Sequence, residues 1–155
     1  MVRVSLAAFT IALSCWSQNV FSDEFLPCSI LLKFGQDNLG PVANYTLSAQ
    51  VKNPTGRKVS GVSVLFYNAN ENLLGNTELN CTQGATMLAP GSTGQCATLM
   101  QTIDGKMMQK FGTEMWTTIV NVQLQKLNSI SKCQLLGYRY NEQDRIETVP
   151  SDSDK

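Results

Sequence analysis

Between positions 43 and 75 apolar and polar residues alternate in two runs, and the segment between the runs is built of turn residues. In the first run Tyr45, Leu47, Ala49 and Val51 share one parity while Thr46, Ser48, Gln50 and Lys52 share the other. A period of two fits a strand with one buried face, whereas a helix would scatter these residues around its circumference. Then come Asn53, Pro54, Thr55 and Gly56. Proline fixes φ and removes a donor, glycine accepts positive φ, and asparagine folds its side chain onto the local backbone, so the chain turns here. The second run sets Val62, Val64 and Phe66 against Ser63, Leu65 and Tyr67, a strand with one apolar and one mixed face. A polar turn over residues 68–72 closes it.

The same reading extends to the rest of the chain. Ile30, Leu32 and Phe34 predict a first strand near 28–34, Leu73 to Leu79 a short edge strand, and Ala97, Leu99 and Ile103 a strand entered through Pro90-Gly91. Met107, Met108 and Phe111 recur at helical spacing between Asp104-Gly105 and Gly112, which predicts a helical turn. Trp116, Thr118, Val120, Val122 and Leu124 then share a parity and are rich in β-branched residues, which predicts a central strand. A last strand is expected from Cys133 to Tyr140. About seven short strands with no βαβ alternation imply an all-β chain, an antiparallel β-sandwich of immunoglobulin or fibronectin type III kind.

The first residues read differently. Arg3 supplies a positive charge, Val4 to Trp16 an apolar run, and Val20-Phe21-Ser22 a cleavage site before Asp23. Residues 1–22 are expected to be a signal peptide, residues 23–140 the folded domain, and the polar residues 141–155 a disordered tail. The apolar run is shorter than the ~20 residues that span a bilayer, so no stable membrane insertion is expected. The chain is expected to be secreted or periplasmic. The competing reading acylates Cys15, because residues 12–15 loosely resemble a lipobox, but Ala12 and Leu13 suit that pattern poorly.

Cleavage after Ser22 leaves Cys28, Cys81, Cys96 and Cys133, an even set in an exported chain. Of the three possible pairings we favour Cys81 with Cys96, which brackets a turn-rich loop, and Cys28 with Cys133, which would tie the first strand to the last. A bridge closing a loop of ~15 residues contributes roughly 3 kcal/mol in the chain-entropy model. The cysteines show no CxxC spacing and the chain has no histidine, so zinc binding is disfavoured.

The stretch NPTGRKVSGVSVLFYNANENLLG followed by LAPGSTGQCATL resembles the small bacterial immunoglobulin-like domains typified by the FxLYD family. The residues that carry the likeness are Asn53, Val62, Val64, Phe66, Tyr67, Leu74, Gly75, Pro90 and Gly91. The layout is also similar to small secreted fibronectin-like immunomodulators of proteobacteria. These resemblances imply a β-sandwich binding module and bring no catalytic residues or cofactor.

Composition narrows the chemistry. Twelve basic and twelve acidic residues balance, which removes the electrostatic footprint of a nucleic-acid binder. Without histidine the Ser-His-Asp and Cys-His nucleophile systems cannot be built, and no phosphate-cradling glycine loop is present. Met100, Met107, Met108 and Met115 read as gap fillers in preference to a thioether copper site, and Trp116 as a core plug. The expected function is non-catalytic and cofactor-free: recognition of a protein or glycan partner through a sheet edge or loops. The alternative is a structural or accessory component of a cell-envelope secretion or adhesion assembly. Leu136, Tyr138 and Tyr140 share one parity opposite Cys133, Leu135 and Gly137, so they form the candidate interaction surface, for a partner or for a homodimer.

Overall fold

The computed structural model describes residues 25–81 and 86–141. The expected leader with its cleavage site lies outside the described residues, as does the tail beyond Asn141. In chain order the elements are β1 (Phe25–Asp37), β2 (Gly40–Lys52), β3 (Val59–Asn68), β4 (Leu73–Asn80), β5 (Thr93–Ile103), α1 (Gly105–Leu127) and β6 (Ile130–Tyr140). The described chain is mostly antiparallel β-sheet with six strands, and the segment expected to be a seventh strand is helix.

Local chemistry sets the turns. β1 and β2 form a hairpin in register from Cys28 opposite Ala49 to Asp37 opposite Gly40. At its tip the Asp37 carboxylate accepts the Leu39 N–H at 2.8 Å, and Gly40 takes a φ of 134° that side chains rarely tolerate. After β2 the chain turns on Asn53, which is fully buried. Its Oδ1 accepts the Thr55 N–H, while its Nδ2 donates to the carbonyls of Arg57 and Leu88. Main-chain bonds from Asn53 to Ser92 and from Gly91 to Asn53 fasten the same turn to the Pro90-Gly91 loop. A buried amide left unpaired is costly, and here both its oxygen and its nitrogen are satisfied.

The strands are hydrogen-bonded in the order β1-β2-β5-β4-β3-β6, and β6 returns to β1. The ring is uneven. β4 meets β5 at a single register pair, Asn80 opposite Ala97, and β1 meets β6 only from Phe25 to Pro27. Between these two seams the inward parity of the strands fills one core: Leu47, Ala49 and Val51 from β2, Val59, Val62, Val64 and Phe66 from β3, and Leu79 from β4. Each such side chain contributes on the order of 1.5–3 kcal/mol when it leaves water.

The β1–β2 hairpin outruns this core, and α1 covers its projecting half. Ala43, Tyr45, Ile103, Trp116 and Val120 form a second buried cluster there, with Leu32, Met107, Met108 and Leu124 packed against it. α1 begins at Asp104, whose carboxylate accepts the Lys106 N–H at 3.1 Å as an N-cap. It is broken at Gly112, with φ 82° and ψ 168°, into a short first half and a longer second half.

The strand expected over Trp116 to Gln125 is corrected by this helix. Trp116, Val120, Leu124 and Leu127 also recur at helical spacing, and they are the residues that face the sheet. Val122, which a strand would bury beside Val120, is 60% exposed. The β-branched residues that favour a strand are accommodated instead: the Thr117 and Thr118 hydroxyls donate to the carbonyls of Thr113 and Glu114, one turn back. Packing against the hairpin outweighs intrinsic propensity, a matter of tenths of a kcal/mol per residue.

Candidate interaction surface

Both seams of the ring carry a disulfide. Cys28 of β1 is bridged to Cys133 of β6 with Cα atoms 5.7 Å apart, and Cys81 is bridged to Cys96 of β5 with Cα atoms 4.1 Å apart. Each bond sits where backbone pairing is shortest, beside the Phe25–Pro27 pairing in one case and beside the Asn80–Ala97 pair in the other. Two disulfides mark an oxidising, extracytoplasmic compartment. No helix among the described residues is long and apolar enough to cross a membrane.

β6 does not keep one parity along its length. Opposite β3, Leu135 pairs with Val64 and Gly137 with Ser63, so Leu136 is an extra residue in a β-bulge. The bulge shifts the alternation by one. Cys133 and Leu135 point into the ring before it, and Tyr138 and Tyr140 pack against the same core after it. Tyr138 also donates to the Lys52 carbonyl at 3.3 Å, and the Arg57 guanidinium lies 4.2 Å over the Tyr140 ring. Leu136 alone of the three faces solvent, at 50% exposure. The expected row is therefore split: one residue out, two half-buried.

Other side chains surround Leu136 on that outer face. Register places Phe25, Gln134, Leu65 and Asn76 in one row across β1, β6, β3 and β4. In the neighbouring row Tyr67 faces Lys132 and Leu73. The Phe25 and Tyr67 rings meet edge to face at 5.4 Å, and the Tyr67 hydroxyl donates to Gln134 Oε1 at 2.6 Å. At the rim Lys132 pairs with Glu71 at 2.8 Å and lies 5.7 Å from the Phe25 ring, while Arg139 pairs with Glu78 at 2.8 Å. The Lys132 ammonium holds the Glu71 carboxyl below its ordinary pKa, through the hydrogen bond first and the charge second. Phe25, Leu73 and Leu136 are all exposed, with Leu65 and Tyr67 half-buried between them. An apolar centre with a charged rim is the layout of protein interfaces.

Phe25 and Leu73 are not recognisable from sequence, because each lies at the end of a strand where alternation says nothing about facing. Leu65 and Tyr67 could have been found: they are the large residues on the off parity of β3.

The remaining candidates disperse. Met100 packs against the first core, Met107 and Met108 against the second, and Met115 is exposed, so the thioethers do not converge. Among the described residues no three His, Cys, Asp or Glu side chains are grouped to hold a metal. Trp116 is buried. Comparison with family models, with curated proteins and with solved structures finds no match.

Proposed function

We propose that this chain is an exported, non-catalytic binding module that recognises a protein or glycan partner through the outer face of the β4-β3-β6 sheet. The observation that carries the reading is the half-exposed Leu136, on a face that also presents Phe25, Leu73 and the edge of Tyr67, while the bulge beside it turns Tyr138 and Tyr140 inward. Apolar side chains grouped in water on one face cost burial and bring the fold no visible return. Contact with another molecule supplies one. The two half-rings β5-β2-β1 and β6-β3-β4 face each other across one core, which supports a sandwich of immunoglobulin or fibronectin type III kind. The disulfide at each seam supports export through the amino-terminal apolar segment.

Site-specific photo-crosslinking tests the face. A benzophenone amino acid placed at position 136 or 73 should give a discrete adduct in the source cells, and the same probe at position 110, an exposed position on α1, should not. Absence of any adduct from 136 and 73, or the same adduct from all three positions, refutes the assignment.

A further inference from the structure

The balanced net charge of the chain hides an uneven distribution. Among the described residues basic side chains outnumber acidic ones, and the sum returns to zero only through the flanks. The carboxyl-terminal flank is the more acidic: beyond Asn141 come Glu142, Asp144 and Glu147, then Asp152 and Asp154, against Arg145 and Lys155 alone. Where that segment leaves the domain therefore matters.

It leaves beside a basic turn. Tyr140, the last residue of β6, is in register with Val59, so the chain exits next to the connection between β2 and β3. That connection and its flanks carry Lys52, Arg57 and Lys58, all exposed. Tyr138 donates to the Lys52 carbonyl at 3.3 Å, and the Arg57 guanidinium lies 4.2 Å over the Tyr140 ring. The ion pairs among the described residues, Lys132 with Glu71 and Arg139 with Glu78, use none of these three cations. Stacking occupies the face of the guanidinium, whereas its N–H donors lie in its plane and stay open to a carboxylate. The backbone under the cations is fixed, because buried Asn53 holds the carbonyls of Arg57 and Leu88 through its Nδ2 and the Thr55 N–H through its Oδ1.

We infer that the basic turn at Lys52, Arg57 and Lys58 is a docking site for the chain's own acidic segment, residues 142–147. The reach is short: measured from Tyr140, extended chain carries Glu142 about 7 Å and Asp144 about 14 Å, so both carboxylates fall within range of a guanidinium that already lies on the Tyr140 ring. Each exposed ion pair is weak by itself. The tether offsets this, since a short flexible linker holds the partners at an effective concentration on the order of millimolar. Docked in this way, the segment folds back over the β2–β3 turn and screens its cations from other anions. The inference does not rest on the partner surface at Leu136.

Paramagnetic relaxation tests it in the full chain. A nitroxide attached to Thr148→Cys should cause loss of amide signal at residues 52–58 but not at the hairpin tip, residues 35–40. The loss should be present at ~10 mM salt, where the Debye length is about 30 Å, and absent at ~1 M, where it is about 3 Å. It should also disappear in the double variant Arg57→Gln, Lys58→Gln, whose turn keeps its bonds because they use the Arg57 carbonyl and not the guanidinium. The triple variant Glu142→Gln, Asp144→Asn, Glu147→Gln lies outside the domain and gives the same test if the turn variant does not fold. No loss at residues 52–58, a loss that survives ~1 M salt, or one unchanged in the variants would overturn the docking. Equal loss when spin-labelled chain is mixed with isotope-labelled chain lacking the nitroxide would overturn it as well, by assigning the contact to a second copy.

Discussion

The phenol hydroxyl of Tyr45 donates to the main-chain carbonyl of Val120 at 2.8 Å, joining a fully buried position on β2 to the middle of α1. A helical carbonyl has a second lone pair free for such a bond, so the contact docks the helix without breaking its ladder. Tyr45→Phe keeps the ring and removes the bond. Its cost should be about 1 kcal/mol in denaturant midpoint at neutral pH.

Burial also pushes the Tyr45 phenol above its ordinary pKa of 10.0. A raised folded-state pKa means that the native state holds the proton more tightly than the unfolded chain. The associated stability is fully present below the unfolded value and is lost as pH rises through the folded one. Thermal melts should therefore fall steeply above pH ~10, and Tyr45→Phe should flatten that limb. An unchanged alkaline slope in the variant would show that other groups govern it.

Gly105 and Gly40 set the approach of α1 to the hairpin tip. A Cβ on Gly105 would lie 2.6 Å from the Gly40 nitrogen and 2.7 Å from the Leu39 carbonyl carbon, both backbone atoms with no rotamer to give way. Gly105→Ala should destabilise the domain by about 1–3 kcal/mol, as overpacking does. Gly35→Ala, where nothing lies within 4 Å, is the matched control and should be near neutral. Equal stability of the two variants would refute the close contact.

How far the sequence could be read follows from the same residues. The hairpin strands and the Asn53 turn were legible because each rests on local chemistry: alternation in one case, a side chain folding onto its own loop in the other. Thr55 donates its N–H to Asn53 Oδ1 as that reading requires, but the bond from Asn53 Nδ2 to the Leu88 carbonyl joins positions 35 residues apart and leaves no sequence trace. The helix was not legible. Residues 116–124 satisfy a period of two and a period of 3.6 at once, and the choice falls to the exposed hairpin face that needs a cover. Gly112 reads as a terminator and is a joint. The bulge at Leu136 was equally hidden, since a one-residue insertion in register depends on the partner strand.

The disulfides close loops of very different length, with sequence separations of 15 for Cys81–Cys96 and 105 for Cys28–Cys133. In the chain-entropy model these contribute roughly 3 and 4.7 kcal/mol. Replacing each pair by serine should reproduce that order, the Cys28/Cys133 variant being the less stable in urea. A larger loss from the short-loop pair would mean that the β4–β5 seam, held by one register pair, depends on its bridge for more than loop entropy.

Position 136 and position 138 discriminate the two descriptions of β6. If strict alternation held, Leu136 and Tyr138 would share a face, and glutamate at either would have the same effect. The bulge separates them: Leu136 is half exposed, while Tyr138 packs on the core and donates to the Lys52 carbonyl. Leu136→Glu should leave stability within ~0.5 kcal/mol, the usual range for surface changes. Tyr138→Glu removes an aromatic ring from the core margin and brings a carboxylate toward it, a change that should cost on the order of 2–4 kcal/mol unless the chain rearranges. Chemical denaturation of both variants gives the comparison. Similar midpoints would restore the unbroken strand and place Tyr138 on the outer face beside Leu136. With the expected difference in hand, Leu136→Glu becomes a folded probe of the outer face, because loss of a photo-crosslinked adduct or of self-association in that variant then reports on contact and not on folding.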